Sequence, residues 1–75
     1  MKLIKLCRMS NYEEECLFYH YGVSVYGTSI KESDLKKIYL DWWNNFLSPE
    51  RFASYNSISE KLANKIISEG RKLFA

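Results

Sequence analysis

Between Leu35 and Phe46, the apolar residues Leu35, Ile38, Tyr39, Trp42, Trp43 and Phe46 recur at steps of three and one. That spacing gathers them along one side of a helix with about 3.6 residues per turn. Lys36, Lys37, Asp41, Asn44 and Asn45 fall on the other side. A strand would scatter the same apolar residues over both faces. The pattern predicts a helix over residues 30–47, buried along one side and ended by Ser48 and Pro49. Trp42 and Trp43 lie about 100° apart around such a helix, so one belongs in the core and the other is partly exposed. Ser29, followed three residues later by Glu32, has the form of a capping box. Ser33 or Asp34 would instead cap a helix that starts one turn later.

A long amphipathic helix needs partners to cover it, and 75 residues leave room for one core, hence a single domain over residues 1–75. So small a chain closes a core when its side chains are large. Here 47% are hydrophobic and 16% aromatic, a globular and not a disordered composition.

Downstream of the long helix, residues 48–73 read as two short helices joined by a tight turn. Ser48 suits a helix cap and Pro49 the first helical turn. A helix from Pro49 to Tyr55 points Phe52 and Ala53 inward, with Arg51 and Ser54 outward. Asn56 and Ser57 make the turn, Ile58 anchors it, and Ser59 caps a second helix whose apolar face is Leu62, Ala63, Ile66 and Ile67. Gly70 is either a terminator or a point of close packing. These are the parts of a helix-turn-helix: a small residue where the helices cross (Ala53), then a turn position tolerant of positive φ (Ser57). If Ser57 adopts left-handed geometry, it costs about 1 kcal/mol.

The run FLSPERFASYNSISEKLANKIISEGR resembles the C-terminal part of short uncharacterised proteins of bacteriophages and other mobile elements. The resemblance spans about residues 42–72, under half the chain, and rests mostly on buried positions. It implies a mobile-element setting and a small accessory role, and it supplies no known site.

Upstream, residues 2–9 read as a strand and residues 15–26, dense in aromatic and β-branched types, as a second. An N-terminal β-hairpin over residues 1–27, turning at Asn11 and Tyr12, would set Cys7 opposite Cys16, Arg8 opposite Glu15, Leu6 opposite Leu17 and Ile4 opposite Tyr19. The rival reading makes residues 12–21 a helix, with Asn11 as N-cap, three glutamates in the first turn and Gly22 as terminator. The fold class expected is α+β, with the hairpin as its first element.

Charge narrows the function. The net charge is +2; residues 1–45 carry six basic and six acidic side chains, and residues 46–75 five basic and three acidic. The excess lies in the helix-turn-helix-like half, where a DNA binder needs it. If the second helix of that pair is a recognition helix, its outward residues are Ser59, Glu60, Lys61, Asn64, Lys65 and Ser68. Asn64 suits adenine, the lysines guanine or phosphate, and Arg51, Arg71 and Lys72 would hold the backbone. Glu60 and Glu69 oppose this reading, since each would face phosphate unfavourably. A homodimer would double the modest charge and present two half-sites. The bland reading is a helical pair that merely closes a core.

The second class is a protein-binding module, such as an inhibitor of a host defence system or host enzyme. Tyr12, Tyr19, Tyr21, Tyr26, Tyr39 and Tyr55 exceed what a small core buries, and exposed tyrosines anchor interfaces. Catalysis is not expected. Cys7, Cys16 and His20 are three soft ligands where a structural zinc needs four, and a Cys/His nucleophile would need an orienting group and a pocket. The chain is therefore expected to be non-enzymatic, without metal or cofactor. No segment approaches the roughly 18 uninterrupted apolar residues of a membrane span. The N-terminal run MKLIKLCRM is broken by Lys5 and Arg8 and lacks a small-residue cleavage site, unlike a signal peptide. The expected compartment is a cytoplasm, that of the host if the protein is phage-encoded, where the two cysteines stay thiols.

Overall fold

The computed structural model describes residues 2–46 and 48–74; Leu47, the expected last residue of the long helix, lies outside them. The chain is α+β: among the described residues it has four helices and a three-stranded antiparallel sheet. Strands β1 (Leu3–Lys5), β2 (Val25–Tyr26) and β3 (Ser29–Lys31) are ordered β1-β3-β2. In register, Leu3, Ile4 and Lys5 face Lys31, Ile30 and Ser29, while Val25 and Tyr26 face Ile30 and Ser29. The central Ile30 is fully buried.

The expected hairpin of residues 2–9 with 15–26 does not form. Helix α1 runs Asn11–Tyr21, so Cys7 and Cys16 are not cross-strand partners; both are half-buried free thiols. The rival helical reading is nearer, although the N-cap is Ser10 and not Asn11. Ser10 and Glu13 form a complete capping box, Glu13 and Glu14 sit in the first turn, and Gly22 closes the helix in left-handed geometry at φ 69°. These local interactions outweigh the β-propensity of the aromatic residues, a preference that depends on context. Leu17 alone is fully buried in α1, and Phe18 and Tyr19 point into solvent. The hairpin that does exist, β2 with β3, turns through Gly27 and Thr28.

Helix α2 spans Glu32–Asn45 and buries Leu35, Ile38, Tyr39 and Trp42. Trp42 is core and Trp43 is half exposed, dividing the pair as the spacing predicts. Its start differs from expectation. Lys31 is the N-cap, with no side-chain hydrogen bond, and Ser29 belongs to β3. The Glu32 amide, one of the free donors of the first helical turn, donates to the Lys2 carbonyl just before β1 at 3.0 Å.

Helix α3 (Pro49–Asn56) is capped by Ser48, buries Phe52 and Ala53, and leaves Arg51 and Ser54 exposed. Asn56, expected in the turn, is its last residue and is fully buried. Ser57 takes the left-handed conformation at φ 58°, and Ile58 is buried behind it. Helix α4 (Glu60–Phe74) buries Leu62, Ala63, Ile66 and Ile67, packing against both α2 and α3. Gly70 lies within this helix and does not end it. A Cβ placed there would meet Tyr39 Cγ at 2.5 Å and Cβ at 2.8 Å, so the glycine lets α2 and α4 approach. These residues, with Ile4, Leu6, Met9, Leu17, Val23 and Ile30, form one core. Among the described residues, no helix is long and apolar enough to cross a membrane.

Candidate nucleic-acid interface

The buried stripe of α4 fixes what its other side presents. At about 100° per residue, Arg71, Asn64, Ser68, Lys61, Lys72 and Lys65 follow one another around the outward half of α4 over an arc of roughly 120°. Glu60 lies just beyond Arg71 at one edge, and Glu69 just beyond Lys65 at the other. The arc itself holds four cations, one amide and one hydroxyl, with no carboxylate between them. All six side chains are exposed except Lys65, which is half-buried.

Glu69 nevertheless draws on this face. Its Oε2 lies 3.2 Å from Lys65 Nζ and 3.4 Å from Lys72 Nζ. The hydrogen bond from Lys65, assisted by Lys72, holds the Glu69 carboxyl below its usual range. Helix-surface pairs of this kind contribute about 0.2–1 kcal/mol each, little enough for both lysines to exchange Glu69 for a phosphate. Lys61 has no ion-pair partner among the described residues. Arg71 turns back over α2, its guanidinium carbon 6.0 Å from the Trp42 ring centre. A shallow depression of about 430 Å³ runs there between Asn64, Ser68 and Arg71 on one side and Trp42 and Pro49 on the other.

Two expected site residues stand apart from the arc. Arg51 is exposed on α3, next to Glu50, whose carboxylate accepts from Ser48 Oγ at 2.7 Å. Ser59 is consumed in structure: its Oγ accepts from the Leu62 amide at 3.2 Å, and its own amide donates to Glu13 Oε2 at 2.8 Å. The other Glu13 oxygen accepts from the Ser10 amide at 2.9 Å. One carboxylate thus spans the N-termini of α1 and α4. Partial burial acts to raise the pKa of Glu13, but the bonds from Ser10 and Ser59 outweigh it and hold the carboxyl below the usual range. The N-terminus of α4 is therefore already occupied by an anion, the Glu13 carboxylate.

A second polar cluster, outside the expected site residues, lies where α1, α2 and α3 meet. The Tyr21 hydroxyl donates to Asp41 Oδ2 at 2.6 Å, and Asn45 Nδ2 donates to Asp41 Oδ1 at 2.8 Å. Buried Asn56 donates from Nδ2 to the Tyr21 oxygen at 3.2 Å and to the Phe52 carbonyl at 3.1 Å. Burial, reinforced by the Asp41 carboxylate, pushes the Tyr21 hydroxyl well above its ordinary range. Asn45, four residues after Asp41, was the one local signal. Among the described residues no three metal-ligating side chains come together. Comparison of this chain with protein-family models, curated proteins and solved structures found no match.

Proposed function

We propose that this chain is a small accessory protein that binds duplex DNA, lying along the major groove with the outward face of α4. The observation that supports this reading is the arc of Lys61, Asn64, Lys65, Ser68, Arg71 and Lys72 on the second helix of the pair, with Glu60 and Glu69 at its edges and Glu69 pairing with Lys65 and Lys72. Lys61, Lys65, Arg71 and Lys72 serve as phosphate donors, and Asn64, exposed beside Arg71 near one edge of the arc, is placed to read a base edge. Ser59 leaves the list of contacts, because its hydroxyl and amide are already paired.

The test is duplex binding by fluorescence anisotropy across salt concentrations from about 50 mM upward, where four phosphate contacts imply a log–log slope of roughly −3 to −4. Lys61→Ala should weaken binding to all sequences alike and lower the slope by about 1. Asn64→Ala should relax sequence preference with the slope unchanged. Absence of salt-dependent binding at the lowest salt sinks the reading.

A different surface supports a second reading, that of a protein-binding inhibitor of a host defence system or host enzyme. On α1, Phe18 is 58% and Tyr19 86% exposed. They line a groove of about 620 Å³ with Glu14, Glu15, Val23 and Val25. Exposed aromatics beside carboxylates suit a protein partner better than phosphate.

A further inference from the structure

We propose that the cleft between α1, α2 and α3 is a binding site for a guanidinium group. It rests on neither reading above, since it shares no lining residue with the α4 arc or with the α1 groove. The cleft has a volume of about 320 Å³ and is walled by His20, Tyr21, Asp41, Asn45, Phe46 and Tyr55. Asp41 has no ion-pair partner among the described residues. Each of its oxygens accepts one hydrogen bond, from the Tyr21 hydroxyl at 2.6 Å and from Asn45 Nδ2 at 2.8 Å. A carboxylate has about four lone-pair sites, so each oxygen keeps one open. Two open acceptor sites on one carboxylate are what a planar guanidinium fork engages. The Tyr21 hydroxyl stays a donor, because burial and the neighbouring carboxylate oppose its ionisation. The carboxylate is thereby held in one orientation.

The rest of the lining is largely aromatic. The Tyr55 ring centre lies 5.0 Å from the His20 ring and 5.2 Å from the Phe46 ring, tilted to them by 39° and 48°, so several ring faces share the cleft with the acid. Guanidinium is planar and weakly hydrated, and it stacks on such faces while its N–H groups reach a carboxylate; a lysine ammonium matches the charge but neither the plane nor the fork. An isolated tie between helices would need Asp41 and its two donors alone, and would leave the three-ring wall unexplained.

The group reaches the cleft either on an arginine side chain of a polypeptide or as a free guanidino compound. NMR titration of the full chain with terminally blocked Gly-Arg-Gly and with free L-arginine separates the two sources, according to which binds more tightly. Expected are saturable shifts at the Asn45 side-chain amide and at Tyr55. Blocked Gly-citrulline-Gly, a neutral isostere, and Gly-Lys-Gly should each bind at least about tenfold more weakly. Asp41→Asn should lose binding by a similar factor. Tyr55 is 59% exposed, so Tyr55→Leu leaves the core intact and provides a second variant expected to weaken binding if Asp41→Asn fails to fold. Equal binding of the citrulline or lysine peptide overturns the proposal, as does the absence of saturation at tens of millimolar ligand.

Discussion

Gly70 concentrates in one residue the closeness of α2 and α4. In an exposed helix, Gly→Ala would gain about 1 kcal/mol from propensity. Here the added methyl would lie 2.5 Å from Tyr39 Cγ and 2.8 Å from Tyr39 Cβ. The Cβ is fixed to the α2 backbone and cannot swing aside. Forcing a methylene into a packed core costs about 1–3 kcal/mol, so packing wins over propensity. Gly70→Ala should lower stability by up to about 2 kcal/mol net, read as a fall in melting midpoint of roughly 4–8 °C per kcal/mol. A variant as stable as the parent would mean that the two helices stand further apart than described. Ser57 illustrates the opposite balance. Its φ of 58° costs what a serine must pay in left-handed space, yet its amide still donates to the Ser54 carbonyl at 3.3 Å and the turn closes.

At the scale of elements, α2, α3 and α4 were legible because each buries a stripe with helical spacing, and the outward arc of α4 was legible as the complement of its stripe. Helix α1 was not read in preference to a strand, because Leu17 is its one fully buried residue while Phe18 and Tyr19, the most strand-like types in it, face solvent. Its true signals were the Ser10–Glu13 capping box and the left-handed Gly22. Glu13 also ties α1 to α4, bonding the Ser59 amide across 46 residues of sequence, a contact that no local pattern announces. This clamp has a pH dependence of definite sign. The Glu13 pKa in the folded chain lies below its ordinary 4.5, so its contribution is fully present above that value and is lost as pH falls through 4.5 and then through the lower folded value. Glu13→Gln should cost about 1 kcal/mol at pH 7, as losing a helix cap does. It should also show a smaller further loss on acidification than the parent. Denaturant midpoints at pH 7 and pH 3 for both proteins check this, and the difference between them removes the contribution that Glu50 and Glu69, also lowered, make to each. Parallel pH curves would deny Glu13 the role.

Over the whole molecule, one polar chain joins three helices that also share the apolar core. Asn56 of α3 reaches Tyr21 of α1, and Tyr21 reaches Asp41 of α2, over sequence separations of 35 and 20 residues. Distances of that kind are set by the assembled fold, which is why Asn56 looked like a turn residue and Asp41 like part of a solvated face. The network has a cost as well as a benefit. Asn56 is fully buried and its Oδ1 has no partner among the described residues, so the amide already bears part of a desolvation penalty, while the Phe52 carbonyl and the Tyr21 hydroxyl satisfy its Nδ2. Tyr21→Phe removes that oxygen while keeping the ring. It leaves Asn56 Nδ2 with the Phe52 carbonyl alone and takes from Asp41 its shortest hydrogen bond. Leaving a buried polar group short of a partner costs about 1–3 kcal/mol, and Tyr21→Phe should fall in that range by chemical denaturation. Replacing both ends distinguishes a network from a mere contact. Adding Asn56→Leu to Tyr21→Phe removes the stranded amide, so the double variant should lose less than the sum of the single losses, with a coupling of about 0.5–3 kcal/mol. Strict additivity would mean that the tyrosine and asparagine contribute independently, and that the three helices are set by apolar packing alone.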